Sequence, residues 1–215
     1  LLDERIGDDL LTASNPTVGL AAHSGQVDVR ITAKAGTVTE ADAMIAQFEA
    51  VLRERIGAHI FGADGDTLDG ALTTALREAG VGVTIFEAGI APIIAERAGQ
   101  LAAGGVAIEV VQLAGAMAAR AQLEAPETAG LRELADTAVR RICEQNAHVV
   151  AIAAISRAGD AGDQADSSER TALAVGYRGA VRSRTYGFGG QSDEVRQFLV
   201  TWAWAMAWGL LRDAS

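Results

Sequence analysis

From Thr67 onward, short apolar runs alternate with longer segments of helical period, and this alternation restricts the chain to few folds. Residues 81–87, 106–113 and 148–155 are rich in Val, Ile and Ala and read as buried strands. Segments 68–79, 92–103, 126–145 and 193–212 carry helical periodicity and punctuation. Thr67 is placed to cap the first of these and Gly80 to end it; Pro92 opens the second, where its missing N–H costs nothing. Ser192 is the expected cap of the last. Residues 171–176 and 181–188 read as a hairpin. Strands joined through helices lie parallel, and a hairpin adds antiparallel strands, so the expected fold is α/β: a three-layer α/β/α domain with a mixed sheet.

A smaller α+β unit precedes it. Segments 17–22 and 27–33 read as strands around the turn Ser24-Gly25-Gln26, with Val27, Val29 and Ile31 on one face. A helix over 40–56 follows, with Thr39 as its expected cap and Gly57 as its end. His59-Ile60-Phe61 begins an expected third strand. The polar stretch Gly62-Ala63-Asp64-Gly65-Asp66 marks the boundary, which gives domains 1–66 and 67–215.

Charge and residue counts narrow the function. The 215 residues carry a net charge of −10, and Lys34 is the single lysine. Phosphate backbones are held mainly by Lys and Arg, so nucleic acid is not an expected partner. Cys143 is the single cysteine, which excludes an internal disulfide, and it reads as an inert core thiol. His23, His59 and His148 are far apart and lack the i, i+4 spacing of a helical metal pair, so neither metal nor cofactor is expected. No apolar run approaches the ~20 residues of a membrane span, so no membrane is expected as a partner either. The acidic start, Leu1-Leu2-Asp3-Glu4-Arg5, is not a signal peptide, and a cytoplasmic protein is expected. A first residue other than Met is the mark expected of a fragment or a processed product.

The turn after the 81–87 strand lies where α/β proteins place their chemistry. Glu87-Ala88-Gly89-Ile90-Ala91 contains no Ser, Thr, Cys, Lys or His. Glu87 is the one polar group there. It has two readings: a general base or ribose-hydroxyl acceptor, or an acceptor for the backbone N–H groups of the next helix.

The stretches "NPTVGLAAHSGQVDVRITAKAG" at 15–36 and "LRERIGAHIFGADGDTLDGALTTALREAGVGVTI" at 52–85 resemble the competence/damage-inducible CinA proteins. The resemblance is specific over residues 15 to 87 and weakens afterwards. It implies a KH-type domain followed by an α/β domain with nicotinamide-nucleotide amidase activity. In that family a molybdopterin-binding-like domain usually comes first, and the resemblance leads to the expectation that it is absent here. The family's strand ends in a motif like Ala-Glu-Ser-Cys-Thr-Gly-Gly, whose serine is the presumed nucleophile. The matching residues here are Phe86-Glu87-Ala88-Gly89-Ile90-Ala91-Pro92, so Ala88 stands at the serine position and Ile90 at the threonine position.

The family's next strand carries a tyrosine and then a lysine that assist the serine. Residues 106–121 here contain neither. A third motif, like Thr-Gly-Ile-Ala-Gly-Pro, matches Ile155-Ser156-Arg157-Ala158-Gly159-Asp160, which keeps only Ala158-Gly159. An arginine early in the family's last helix, a phosphate partner, matches Arg196. Attack on an amide needs a nucleophilic oxygen or sulfur with a base in reach, so the resemblance implies a catalytically degenerate amidase domain. Glu87, Gly89, Arg157, Gly159 and Arg196 are the candidate ligand contacts, and a nucleotide is the expected ligand. The alternative is an active amidohydrolase that converts nicotinamide mononucleotide to nicotinate mononucleotide and ammonia. The KH-type label suggests RNA, but the only Gly-x-x-Gly spacing in residues 1–66 is Gly62-Ala63-Asp64-Gly65, which carries an acid.

The last helix carries two apolar stripes. Val195, Phe198, Leu199, Trp202, Met206 and Leu210 are expected in the core. Val200, Trp204, Trp208 and Leu211 lie on the opposite face, where a lone helix on a sheet would leave them wet. That face is the expected interface of a homodimer.

Overall fold

The computed structural model describes residues 2–157, 170–187 and 193–214. The chain divides into two compact units, Leu1–Asp66 and Thr67–Ser215.

The first unit opens with two short helices, α1 (Leu2–Ile6) and α2 (Asp8–Leu11). Strands β1 (Thr17–His23) and β2 (Gln26–Thr32) form a two-stranded antiparallel ribbon. Its register sets Val18 opposite Ile31 and Leu20 opposite Val29. Helix α3 (Val38–Ile56) begins two residues earlier than the sequence suggests. Thr37, not Thr39, is its cap: the Thr37 hydroxyl accepts from the Glu40 N–H at 3.2 Å, and a Glu40 carboxylate oxygen accepts from the Thr37 N–H at 3.1 Å. This reciprocal box satisfies two amides that a helix end otherwise leaves unpaired. Ile6, Leu10, Leu52 and Ile56 make a small core, with Val18, Val29 and Ile31 packed on it. The expected third strand is absent: Gly57–His59 is a single 3₁₀ turn, and 60–62 has no strand partner. Arg5 explains the position of His59, since its guanidinium lies 3.1 Å from His59 Nε2.

The second unit is a three-layer α/β/α domain with a mixed five-stranded sheet, as the alternation predicts. Its helices are α4 (Leu68–Ala79), α5 (Ile93–Ala103), α6 (Ala116–Gln122), α7 (Leu131–Gln145) and α8 (Asp193–Asp213). Its strands are β3 (Gly82–Ala88), β4 (Ile108–Leu113), β5 (Val149–Ser156), β6 (Thr171–Tyr177) and β7 (Ala180–Tyr186), in the order β4-β3-β5-β6-β7. β4, β3 and β5 run parallel, while β6 and β7 are antiparallel additions. Thr67 caps α4 through the Gly70 N–H, and Gly80 ends it at φ +66°. The segment expected as one helix over 126–145 begins only at Leu131; Pro126 lies in the turn before it.

Alternate strand residues feed two cores. Phe86, Ala88, Ala153, Ile155, Ala172 and Ala174 face α6 and α7 and meet Leu131, Leu134, Ala135 and Val139. The opposite face is covered by α5 and α8, and α4 packs against both of these helices. There α4 buries Leu68, Leu72 and Leu76 at a spacing of four.

Helix α8 departs from expectation. Leu199, Ala203, Ala207 and Leu210 are buried, and so are Val200, Trp204 and Leu211 of the second stripe. The reason is a second neighbour: α4 packs against α8, with the Trp204 indole donating to Asp69 of α4, while β5 and β6 pack on α8 as well. Only Trp208 of the four residues expected to be wet is half-exposed, and the Arg212 guanidinium lies 4.7 Å from its ring centroid. Phe198, Trp202 and Met206, expected in the core, are half-buried instead. Trp202 stacks on Tyr186 of β7 at 4.6 Å between centroids. Ser192, the expected cap, lies outside the described residues.

Candidate functional site

The carboxyl ends of β3, β4 and β5 adjoin at one end of the sheet, where an open α/β domain places its ligands. Glu87 is fully buried there, on the face toward α5. Its Oε1 accepts from the Ile94 N–H at 2.9 Å and its Oε2 from the Ala95 N–H at 3.3 Å. The carboxyl therefore meets the first amides of α5, at the positive end of the helix dipole. Burial pushes its pKa up to about 7, against the pull of the two amides, and the charge of Glu96 adds to the rise.

The turn that follows is closed by backbone. Gly89 has φ +67°, and a Cβ there would overlap the Ser156 carbonyl oxygen and lie 3.1 Å from Gly115 Cα. The Gly89 N–H donates to the Leu113 carbonyl at 3.2 Å, and the Gln112 side-chain amide donates to the Ile90 carbonyl at 3.1 Å. Ala88 is fully buried and Ile90 is 8 % exposed. Ala88, expected from the resemblance at the family's serine position, thus faces the α6–α7 core, and Ile90 two residues on is packed away.

Sequence reasoning missed two hydroxyls at this end of the sheet. Ser156 and Thr171 are both fully buried. Thr171 Oγ1 donates to Ser156 Oγ at 3.2 Å, and Ser156 Oγ donates to the Arg170 carbonyl at 3.1 Å. The family match had pointed to Ile155; the register of β5 against β6 sets Ser156 opposite Thr171 one residue later. Arg157 follows Ser156 and is half-buried, with its N–H donating to the Arg170 carbonyl at 3.1 Å. Glu87 and Gly89 therefore share one end of the sheet with the Ser156–Arg157 segment. Arg196 is half-buried near the start of α8, and Gly159 lies outside the described residues.

A second polar cluster joins three helices. Asp69 on α4 accepts from Arg97 of α5 through both carboxylate oxygens, at 2.9 and 2.6 Å, and from Trp204 Nε1 of α8 at 3.0 Å. Burial raises the Asp69 pKa, but the bonds from Arg97 and Trp204 outweigh it and hold the carboxyl below its ordinary value. In the first unit, Asp66 Oδ2 accepts from the Ala63 N–H at 2.9 Å, inside the Gly62–Gly65 turn. An amide that could meet a phosphate there is occupied by an acid of the chain itself. Among the described residues no group of three or more His, Cys, Asp or Glu could hold a metal ion, and no helix is long and apolar enough to cross a membrane.

Residues 1–62 match the damage-inducible protein CinA KH domain. A CinA-like protein of Prochlorococcus marinus is 36% identical over 104 residues, which cover 46% of this chain and 24% of that protein. A CinA-like protein of Thermomicrobium roseum is 28% identical over 204 residues, 94% of this chain and 48% of that protein. The chain thus spans about half the length of the relative it matches most extensively among these two. Among solved structures, the competence/damage-inducible protein CihA from Agrobacterium tumefaciens has a TM-score of 0.54 at 22% identity, covering 68% of this chain and 95% of that one. A CinA superfamily protein from Escherichia coli has a TM-score of 0.52 at 18% identity, covering 72% and 98%. At those identities the likeness shows the fold alone.

Proposed function

We propose that this chain, a CinA-like protein of the competence/damage-inducible family, uses its amidase-like α/β domain as a dimerising, non-hydrolytic scaffold. One observation carries the reading: the residue at the family's serine position is Ala88, fully buried, beneath a turn whose Gly89 abuts the Ser156 backbone. Acyl transfer needs a nucleophile that substrate can approach, together with a base that takes its proton. Among the described residues, the hydroxyls of Ser156 and Thr171 at that end of the sheet are buried and hydrogen-bonded within the chain. Glu87 is bonded to the α5 amides. A weak nucleotide contact along Gly89, Arg157, Gly159 and Arg196 belongs to the same proposal.

The test is ammonia release from nicotinamide mononucleotide by the full chain. The reading predicts none above buffer. Turnover that disappears in Glu87→Gln would overturn it. A second reading, the active amidohydrolase, has one observation in its favour: a carboxyl with a pKa near 7 is matched to general-base work at neutral pH. Calorimetric titration of the mononucleotide into wild type and Arg196→Ala addresses the nucleotide contact separately.

A further inference from the structure

The dipeptide Asp-Gly occurs twice in this chain, at Asp64-Gly65 and at Asp69-Gly70. In this dipeptide a side-chain carboxyl meets the next main-chain nitrogen with little obstruction, because glycine has no Cβ to crowd the approach. The two copies sit in opposite environments.

Asp69-Gly70 is held. Both residues belong to the first turn of α4. The Gly70 N–H donates to Thr67 Oγ1 at 3.1 Å. The Asp69 carboxylate accepts from Arg97 and Trp204. A helical ψ of about −42° also turns the Gly70 nitrogen away from the Asp69 Cβ.

Asp64-Gly65 is loose. Both residues are exposed, and a Cβ at Gly65 would stand in open space. Among the described residues, neither the Asp64 carboxylate nor the Gly65 N–H has a hydrogen-bond or ion-pair partner. They are the two central residues of a four-residue turn, closed by the Asp66 N–H donating to the Ala63 carbonyl at 3.0 Å. Asp64 has φ +51°, whereas Gly65 is not left-handed. In a closed turn, a positive φ at the second residue and not at the third belongs to type II′, with an ideal ψ of about −120° at the second residue. For an L-residue, such a ψ eclipses Cβ with the following nitrogen across the Cα–C bond. The Asp64 carboxyl is then one rotation about Cα–Cβ from the Gly65 nitrogen, in the arrangement of a five-membered ring.

We propose that Asp64-Gly65 is a site of backbone modification, at which this turn converts aspartate to isoaspartate through a cyclic imide. The Gly65 nitrogen attacks Cγ of the protonated Asp64 carboxyl. The N–Cγ bond forms, and the amide proton leaves with the carboxyl hydroxyl as water. Water then reopens the ring. Attack at Cγ restores aspartate; attack at the main-chain carbonyl carbon leaves Gly65 joined through Cγ, which is isoaspartate. The water lost is the water regained, so the conversion consumes no other reactant. Its product carries the Asp64 Cβ in the main chain, which disrupts the Ala63–Asp66 turn just ahead of Thr67, the cap of α4. The chemistry is independent of any activity of the α/β domain.

The tryptic peptide 56–77 carries both dipeptides and reports them in one measurement. The folded full chain is kept for weeks in neutral buffer at physiological temperature, beside the synthetic peptide 56–77. Isoaspartate is located by electron-transfer fragmentation, which cleaves beside the inserted carbon. Position 64 is expected to convert in the folded chain at least as fast as in the peptide. Position 69 is expected to convert at least about tenfold more slowly in the folded chain than in the peptide, because α4 must open first. Gly65→Ala is expected to fold as wild type does and to slow position 64 about tenfold, since its Cβ shields the nitrogen. Equal rates at 64 and 69 in the folded chain overturn the proposal. So does slower conversion of position 64 in the folded chain than in the peptide, or a Gly65→Ala variant that converts as fast as wild type.

Discussion

The indole N–H of Trp204 donates to Asp69 Oδ1 at 3.0 Å, and the same carboxylate holds Arg97 through both oxygens. Trp204 is 1 % exposed. Removing its acceptor strands a buried donor, whereas Arg97 is about half-exposed and can turn to water. Asp69→Ala is therefore expected to cost about 2 kcal/mol in urea unfolding. Arg97→Ala is expected to cost under about 1 kcal/mol, as exposed ion pairs do. Equal losses from the two variants would contradict this division.

Glu87 gives a signed pH dependence. Its folded pKa, near 7, lies above the ordinary 4.5. Between those values the folded state holds the extra proton, so stability falls as pH rises and then levels off. The interval corresponds to about 3 kcal/mol. Glu87→Gln removes this titration. The variant should therefore gain stability relative to wild type as pH rises from 4.5 to 7, measured by chemical denaturation at each pH. A constant difference across that range would contradict the burial-driven shift.

Gly89→Ala should be among the most damaging small substitutions in the second unit. It strains a left-handed backbone and drives a methyl into the Ser156 carbonyl. A loss of about 2–4 kcal/mol is expected, read as a lowered melting temperature. Ala88→Ser, by contrast, should fold yet gain no amidase activity, because that side chain is sealed in the core. Ammonia release by this variant would show that substrate reaches the position.

Thr37→Ala removes the hydroxyl half of the α3 capping box. The expected cost is about 1 kcal/mol in the first unit. Thr39→Ala, the cap suggested by sequence, should be close to neutral. Reversal of that order would contradict the observed helix start.

The fold of the second unit was legible because its signals are local. Strand runs, Thr67 and Gly80 at the ends of α4, and the 171–186 hairpin all state their roles within a few residues. What escaped reading depends on partners distant in sequence. The two stripes of α8 look like one buried face and one wet face until α4, more than a hundred residues earlier, is set beside it. A helix apolar on two sides is one with two neighbours. Ser156 and Thr171 escaped for the same reason: only the β5–β6 register brings their hydroxyls together. At the candidate site, that residues 87–91 hold no Ser, Cys or Lys was plain from residue identities. The sealing of the turn by the Ser156 backbone was not, since close approach of two main chains leaves no trace in side-chain chemistry beyond a glycine.

All three tryptophans of the chain, Trp202, Trp204 and Trp208, lie on α8. Intrinsic indole emission is therefore a reporter of a single helix of the second unit, and the Leu1–Asp66 unit contributes no indole of its own. A transition seen by far-ultraviolet ellipticity but not by emission would belong to the first unit alone, and coincident curves would mean that the two units come apart together.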